Sequence, residues 1–169
     1  MFSKPQIITY TSLALGLFLI WFFLFSNFIP RQKNEIKPTA TPEIATSYNH
    51  KIRLNNTELM VEIADTPEKQ EQGLSGRKFL AEGTGMLFTY AIPQKVIFWM
   101  PDMNFPIDII YLKNNEVVQI EKNVPNLPDI AKEKLPKYPS YQEIDLVLEV
   151  PAGWSEKNNI AIGDKLTSN

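Results

Sequence analysis

No charged side chain occurs between Lys4 and Arg31, and this one feature limits what the chain can become more than any other. Residues 13–25, LALGLFLIWFFLF, are apolar throughout. Extended to residues 7–29, the segment would rise about 34 Å as a helix, enough to cross the roughly 30 Å hydrocarbon core of a bilayer. A helix is also the form that satisfies its own backbone groups in lipid. Phe and Leu occur all round its circumference, which a buried helix of a soluble domain does not need. Tyr10 and Trp21 form no interfacial belt, and Pro30 ends the segment.

A cleaved signal peptide would have a shorter apolar region and a small-x-small exit. Here the exit reads FSNFIPRQ, so the sequence predicts an uncleaved single-pass anchor over residues 1–30, inserted in the lipid bilayer through residues 7–29. Counted strictly, Arg31, Lys33 and Lys37 outweigh Lys4 and favour a cytoplasmic domain. The very short N-terminal tail and the linker KPTATPEIATS argue the other way, because an extended Thr/Pro stalk suits an extracytoplasmic domain. The expectation is a cell-membrane protein with residues 31–50 as linker and its globular part, residues 51–169, outside.

About 120 residues are enough for a core without staples. With 17 basic and 19 acidic residues the net charge is −2, which gives no field for nucleic acid. There is no cysteine and a single histidine, His50, at the linker's end. Disulfides and thiolate metal sites are therefore excluded, and zinc or His-based catalysis has too few ligands. No G-x-S-x-G motif points to acyl transfer. No cofactor is expected.

From Lys51 the texture changes to short β-like runs. KIRLNN and TELMVEIA read as a hairpin turning at Asn55-Asn56, with Leu59, Val61 and Ile63 on a buried face. Asp65-Thr66-Pro67-Glu68 starts a short helix that closes near Gly73. GMLFTY (85–90) and KVIFWM (95–100) are apolar enough for inner strands. IDIIYL (107–112) and EVVQIEK (116–122) flank a second hairpin turn at Lys113-Asn114-Asn115. Residues 123–142 hold four prolines and read as a loop or excursion. DLVLEV (145–150), a brief helical turn after Gly153 and a last short strand complete the chain. The predicted class is mostly β with two short helices, in a compact, barrel-like sheet, since closure removes exposed edges.

ADTPEKQEQGL (64–74), GMLF (85–88), FWM (98–100), PIDIIYL (106–112), LEVPAGW (148–154) and IGDKL (162–166) occur in the order of the DUF192 family, also called the UPF0127 group. The resemblance covers residues 57–166 and implies a compact β-barrel-like domain without established activity. It also implies a setting behind a signal sequence or membrane anchor. The chain departs from the family pattern at Ser75, at Pro101-Asp102-Met103 and at Asn126.

The densest candidate site is residues 98–108, FWMPDMNFPID, where Trp99, Asp102 and Asp108 bring aromatic and carboxylate groups to a strand-to-strand turn. The plainer reading puts Phe98, Met100 and Ile107 in the core and has both carboxylates bonding backbone amides. Arg77 and Asp65, flanking the short helix, form either a salt bridge or cap, or an anionic-ligand clamp. Glu149 reads as half-exposed. Asp102, Asp108 and Glu149 are ligand types for Ca²⁺, but no loop spacing supports a metal site. Two function classes follow. One is a non-catalytic envelope module binding a glycan, peptide or envelope protein through the Trp99 region. The other is a hydrolase or transferase of envelope polymers using the carboxylates as acid and base.

Overall fold

The structure, a computed structural model, describes residues 48–168. The expected membrane segment and most of the linker lie outside them. Among the described residues no helix is long and apolar enough to cross a membrane.

The chain begins with the predicted hairpin, β1 (His50–Leu54) and β2 (Thr57–Ala64), paired in register Leu54 to Thr57. Of the two turn residues only Asn55 takes a positive φ, +54°. Helix α1 (Pro67–Gln72) follows. Thr66 caps it, accepting from the Lys69 N–H at 3.4 Å, and Gly73 closes it at φ +48°. The Gln70 side chain donates to the carbonyls of Ala64 and Thr89, which ties the helix to the end of β2 and the middle of the strand that follows.

Strand β3 (Thr84–Gln94) pairs parallel with β2 and antiparallel with β8 (Ile144–Pro151). It runs through Ala91–Gln94, where the sequence suggests a connection, by means of a register irregularity between Thr89 and Gln94. Strands β5 (Ile107–Lys113) and β6 (Glu116–Val124) form the second predicted hairpin, and both Asn114 and Asn115 take positive φ. With β9 (Leu166–Ser168) the order is β6-β5-β8-β3-β2-β1-β9. The sheet curls into a half-barrel, and a bridge between Glu116 and Lys165 joins its two edges at one end.

Curling separates two cores. The first takes Leu54, Val61, Leu87, Leu148, Ile110, Val117 and Leu166, so that all seven strands contribute, as the inner face of a curled sheet requires. Helix α2 (Trp154–Lys157) plugs one end with Trp154. At the other end Ile52, Ile63, Leu87, Leu146 and Leu166 line an open cavity of about 330 Å³. The second core lies on the outer face, where Met86, Phe88, Ile109, Tyr111 and Val147 are covered by Leu74, Leu80, Met100 and Met103.

Two strands lie outside this sheet. β4 (Ile97–Trp99) pairs only with β7 (Lys137–Pro139), in a separate two-stranded sheet over the second core. The inner strand expected at 95–100 is thus an outer one. Its apolar side chains fall on both faces of a strand that has only one face to bury. The Pro-rich excursion is likewise not wholly loop: it contains β7 and a 3₁₀ turn, Lys132–Lys134.

Gly85 marks the tightest backbone approach. A Cβ there would stand 2.7 Å from the Glu149 carbonyl and 3.2 and 3.3 Å from Leu148 and Val150 side-chain carbons. Gly85→Ala should cost about 1–3 kcal/mol, as overpacking does. Urea denaturation should show a lower midpoint at unchanged slope; an unchanged midpoint would mean that β3 and β8 separate freely.

Candidate functional site

The Trp99 region is built by strand alternation over a fixed point. Phe98 packs edge-on against Phe88, with ring centroids 5.0 Å apart, and against Tyr111 at 6.0 Å. With Phe98 facing in, its neighbours must face out, and Ile97 is 62% and Trp99 44% exposed. Together with Lys132, Glu133 and Lys137 they line a groove of about 480 Å³.

The connection after Trp99 is held from below. Met100 and Met103 are buried, and Asp102 between them turns the chain at φ +54°. The carbonyl of Pro101 accepts from the Ser75 hydroxyl, that of Asp102 from the Gly76 N–H, and that of Arg77 from the Asn104 amide. Two of the sequence departures, Ser75 and Pro101, therefore meet in one hydrogen bond. The Asp102 carboxylate does not bond backbone amides, as the plain reading expects. It pairs at the surface with Lys132 at 2.6 Å.

Asp108 is fully buried on the first-core side of β5. Its Oδ1 accepts from the N–H groups of Asn123 (2.8 Å) and Gly153 (3.0 Å), and its Oδ2 from the N–H (2.9 Å) and hydroxyl (2.5 Å) of Ser155. Gly153, at the N-cap of α2, has no side chain to satisfy the first amides, and Asp108 does so from another strand. Asp102 and Asp108 are therefore not brought together. One is an exposed ion-pair partner, the other a carboxylate with every bond inside the domain.

Arg77 and Asp65 do not meet either. Asp65 pairs with Lys69 at 2.7 Å, one helical turn on, and this bond holds its carboxyl below the usual range. Arg77 pairs with Glu62 at 2.8 Å, with both side chains largely covered. Strand register then places Glu62, Met86 and Glu149 in one row across β2, β3 and β8. Glu149 is buried, not half-exposed, because the connection from Trp99 to Pro106 and the segment after α1 cover this face. Its Oε2 has no hydrogen-bond partner among the described residues. Burial pushes its pKa up to about 8, against the opposing pull of Arg77. Tyr90, half-buried nearby, is pushed up to about 12 by burial and by Glu149. Glu149 lines neither the groove nor the open end of the half-barrel. Among the described residues no group of three or more potential ligands could hold a metal ion.

Sequence reading missed the burial of Glu149 and the Lys132–Lys137 wall of the groove. The first had a signal, since the run LVLEV is apolar on both sides of the glutamate. The second had none, because β4 and β7 are nearly forty residues apart.

These features define a small half-barrel domain with a buried carboxyl beneath its outer layer and an open aromatic groove upon it. The chain belongs to the DUF192 family, described as an uncharacterized ACR, whose model matches residues 50–168. Two solved structures are similar. A protein of Sinorhizobium meliloti 1021, named a "putative transcription regulator", is 27% identical with a TM-score of 0.63, over 70% of this chain and 92% of that one. A protein of unknown function from Novosphingobium aromaticivorans DSM 12444 is 25% identical with a TM-score of 0.62, over 69% and 83%. No curated protein matches the chain.

Proposed function

We propose that this chain is a membrane-tethered binding module whose DUF192 domain engages an envelope partner through the Trp99 groove. One observation carries the reading: Ile97 and Trp99 are exposed side by side on a strand whose middle residue is locked into the core. Aromatic anchors on rigid supports are what binding hot spots are made of. The carboxylates that an enzyme would use are committed elsewhere, Asp108 to four donors and Asp102 to Lys132. The tether is residues 7–29, with the domain on the extracytoplasmic side, on the grounds of the uncharged apolar run and the Thr/Pro stalk. The name of the Sinorhizobium protein points to nucleic acid, but a net charge of −2 gives this chain no field that would attract it.

Three measurements test this. The full-length protein should stay with membranes through an alkaline wash, and protease added to spheroplasts should digest the domain. Release by the wash, or protection until lysis, would overturn the tether or its orientation. For the groove, glycan fragments and peptides are screened by thermal shift, since a ligand of the folded state raises the midpoint by mass action. Trp99→Ala should sharply reduce any such shift, weakening binding by about tenfold or more, while leaving the midpoint of the free protein nearly unchanged. A shift that survives Trp99→Ala undiminished would place binding elsewhere.

A further inference from the structure

The two edges of the small outer sheet differ in their hydrogen bonding. The Ser140 N–H donates to the Val96 carbonyl at 2.9 Å, which makes Val96 and Ser140 a hydrogen-bonded pair. In an antiparallel ladder bonded and non-bonded pairs alternate. Phe98 and Tyr138 are therefore bonded, while Ile97 with Pro139 and Trp99 with Lys137 are not. The N–H and C=O groups of Ile97 and Trp99 consequently point away from β7, along the free edge of β4. Among the described residues no other strand pairs with β4.

The opposite edge is blunted at Pro139. Pro139 has no N–H to offer, and its carbonyl already accepts from the Gln119 side chain at 3.0 Å, whose oxygen takes the Tyr141 N–H. Proline and side-chain cover are the usual means by which an edge is blunted. β7 has both and β4 has neither.

We propose that the free edge of β4 is a strand-addition site for an extended acidic peptide, which rests on the reading of the Trp99 groove as a binding surface and names its partner. Main-chain bonds to Ile97 and Trp99 supply the register, and alternate side chains of the peptide lie on the exposed Ile97 and Trp99. Charge selects the acidic class through Lys137, since Lys132 is already held by Asp102 and Glu133 is the one carboxylate lining the groove. Lys137 stands opposite Trp99 in register and has no ion pair among the described residues.

The test uses the full-length chain and three probes: the peptide Ac-Glu-Val-Glu-Ile-Glu-NH2, its backbone N-methylated counterpart, and the same peptide with Lys for Glu. The acidic peptide should slow hydrogen exchange at the Ile97 and Trp99 amides by about tenfold at saturation, and the other two should not. Ile97→Pro removes one edge donor without breaking a bond to β7, and should weaken binding about fivefold relative to Ile97→Ala, which only shortens the side chain. Equal binding of the N-methylated peptide, or equal affinity of the Pro and Ala variants, would overturn strand addition while leaving the groove reading intact. Equal binding of the Lys peptide would overturn the acidic preference. Protection of β4 that rises with protein concentration in the absence of peptide would instead assign the edge to a second copy of the chain. If no peptide binds but a glycan does so in a Trp99-dependent way, this inference falls and the groove stands; if nothing binds, both fall.

Discussion

Replacing Asp108 by alanine should lower the stability of the domain by on the order of 4 kcal/mol. Four donors converge on that carboxylate: the amides of Asn123, Gly153 and Ser155, and the Ser155 hydroxyl. Asp108 is itself fully buried. Alanine leaves these donors with no acceptor. Asn123 (φ +53°) and Gly153 (φ +79°) are held in the left-handed region, so their amides cannot easily turn elsewhere. The first turn of α2 would fray and Trp154 would lose its seat at the end of the first core. Asp108→Asn retains one acceptor oxygen but aims an amide at donors, and about 2 kcal/mol should be lost. Urea denaturation followed by tryptophan fluorescence measures both. Midpoints within experimental error of the parent would end the structural reading and make Asp108 the first residue to pursue as functional.

Glu149 should make stability fall as pH rises, and Glu149→Gln should remove that dependence. Its carboxyl has an ordinary value of 4.5 in the unfolded chain, and burial raises it to about 8 in the folded domain. Between these values the folded state holds a proton that the unfolded state releases. The stabilising contribution is therefore complete below about 4.5 and is lost as pH rises through about 8. Within the window the slope is roughly 1.4 kcal/mol per pH unit. Glutamine keeps the shape and carries no titrating proton. The two proteins should have similar midpoints near pH 5, with the variant the more stable by a few kcal/mol at pH 9. All other titrating groups are common to both, so the difference isolates this one. Parallel profiles across the window would mean that water or a partner reaches the unpaired Oε2.

Local chemistry wrote much of this domain into its sequence. Period-two alternation placed Leu59 and Val61 in the first core, though Ala64 on the opposite face is buried too and Ile63 only partly so; paired asparagines set the β5–β6 turn, and Thr66, Pro67 and Gly73 both ends of α1. Six motifs in order identified the family, which the match over residues 50–168 bears out. Alternation also placed Asp108 opposite Ile107 and Ile109, on the face where its four donors lie. The anchor over residues 7–29 was read from charge and length alone and lies outside the described residues.

What only the tertiary structure decided concerns pairs distant in the chain. KVIFWM and the Pro-rich segment find each other across about forty residues, so β4 became an outer strand with one open edge. Arg77 turned from Asp65 to Glu62 because β2 presents its carboxylate beneath the loop, whereas Asp65 is taken by Lys69 one helical turn away. Glu149 became buried because a connecting segment from another part of the chain covers its face. A sequence reports the preferences of residues for a face, a turn or a cap. It does not report what will come to lie over that face, because that is set by the free energy of closing long loops onto it.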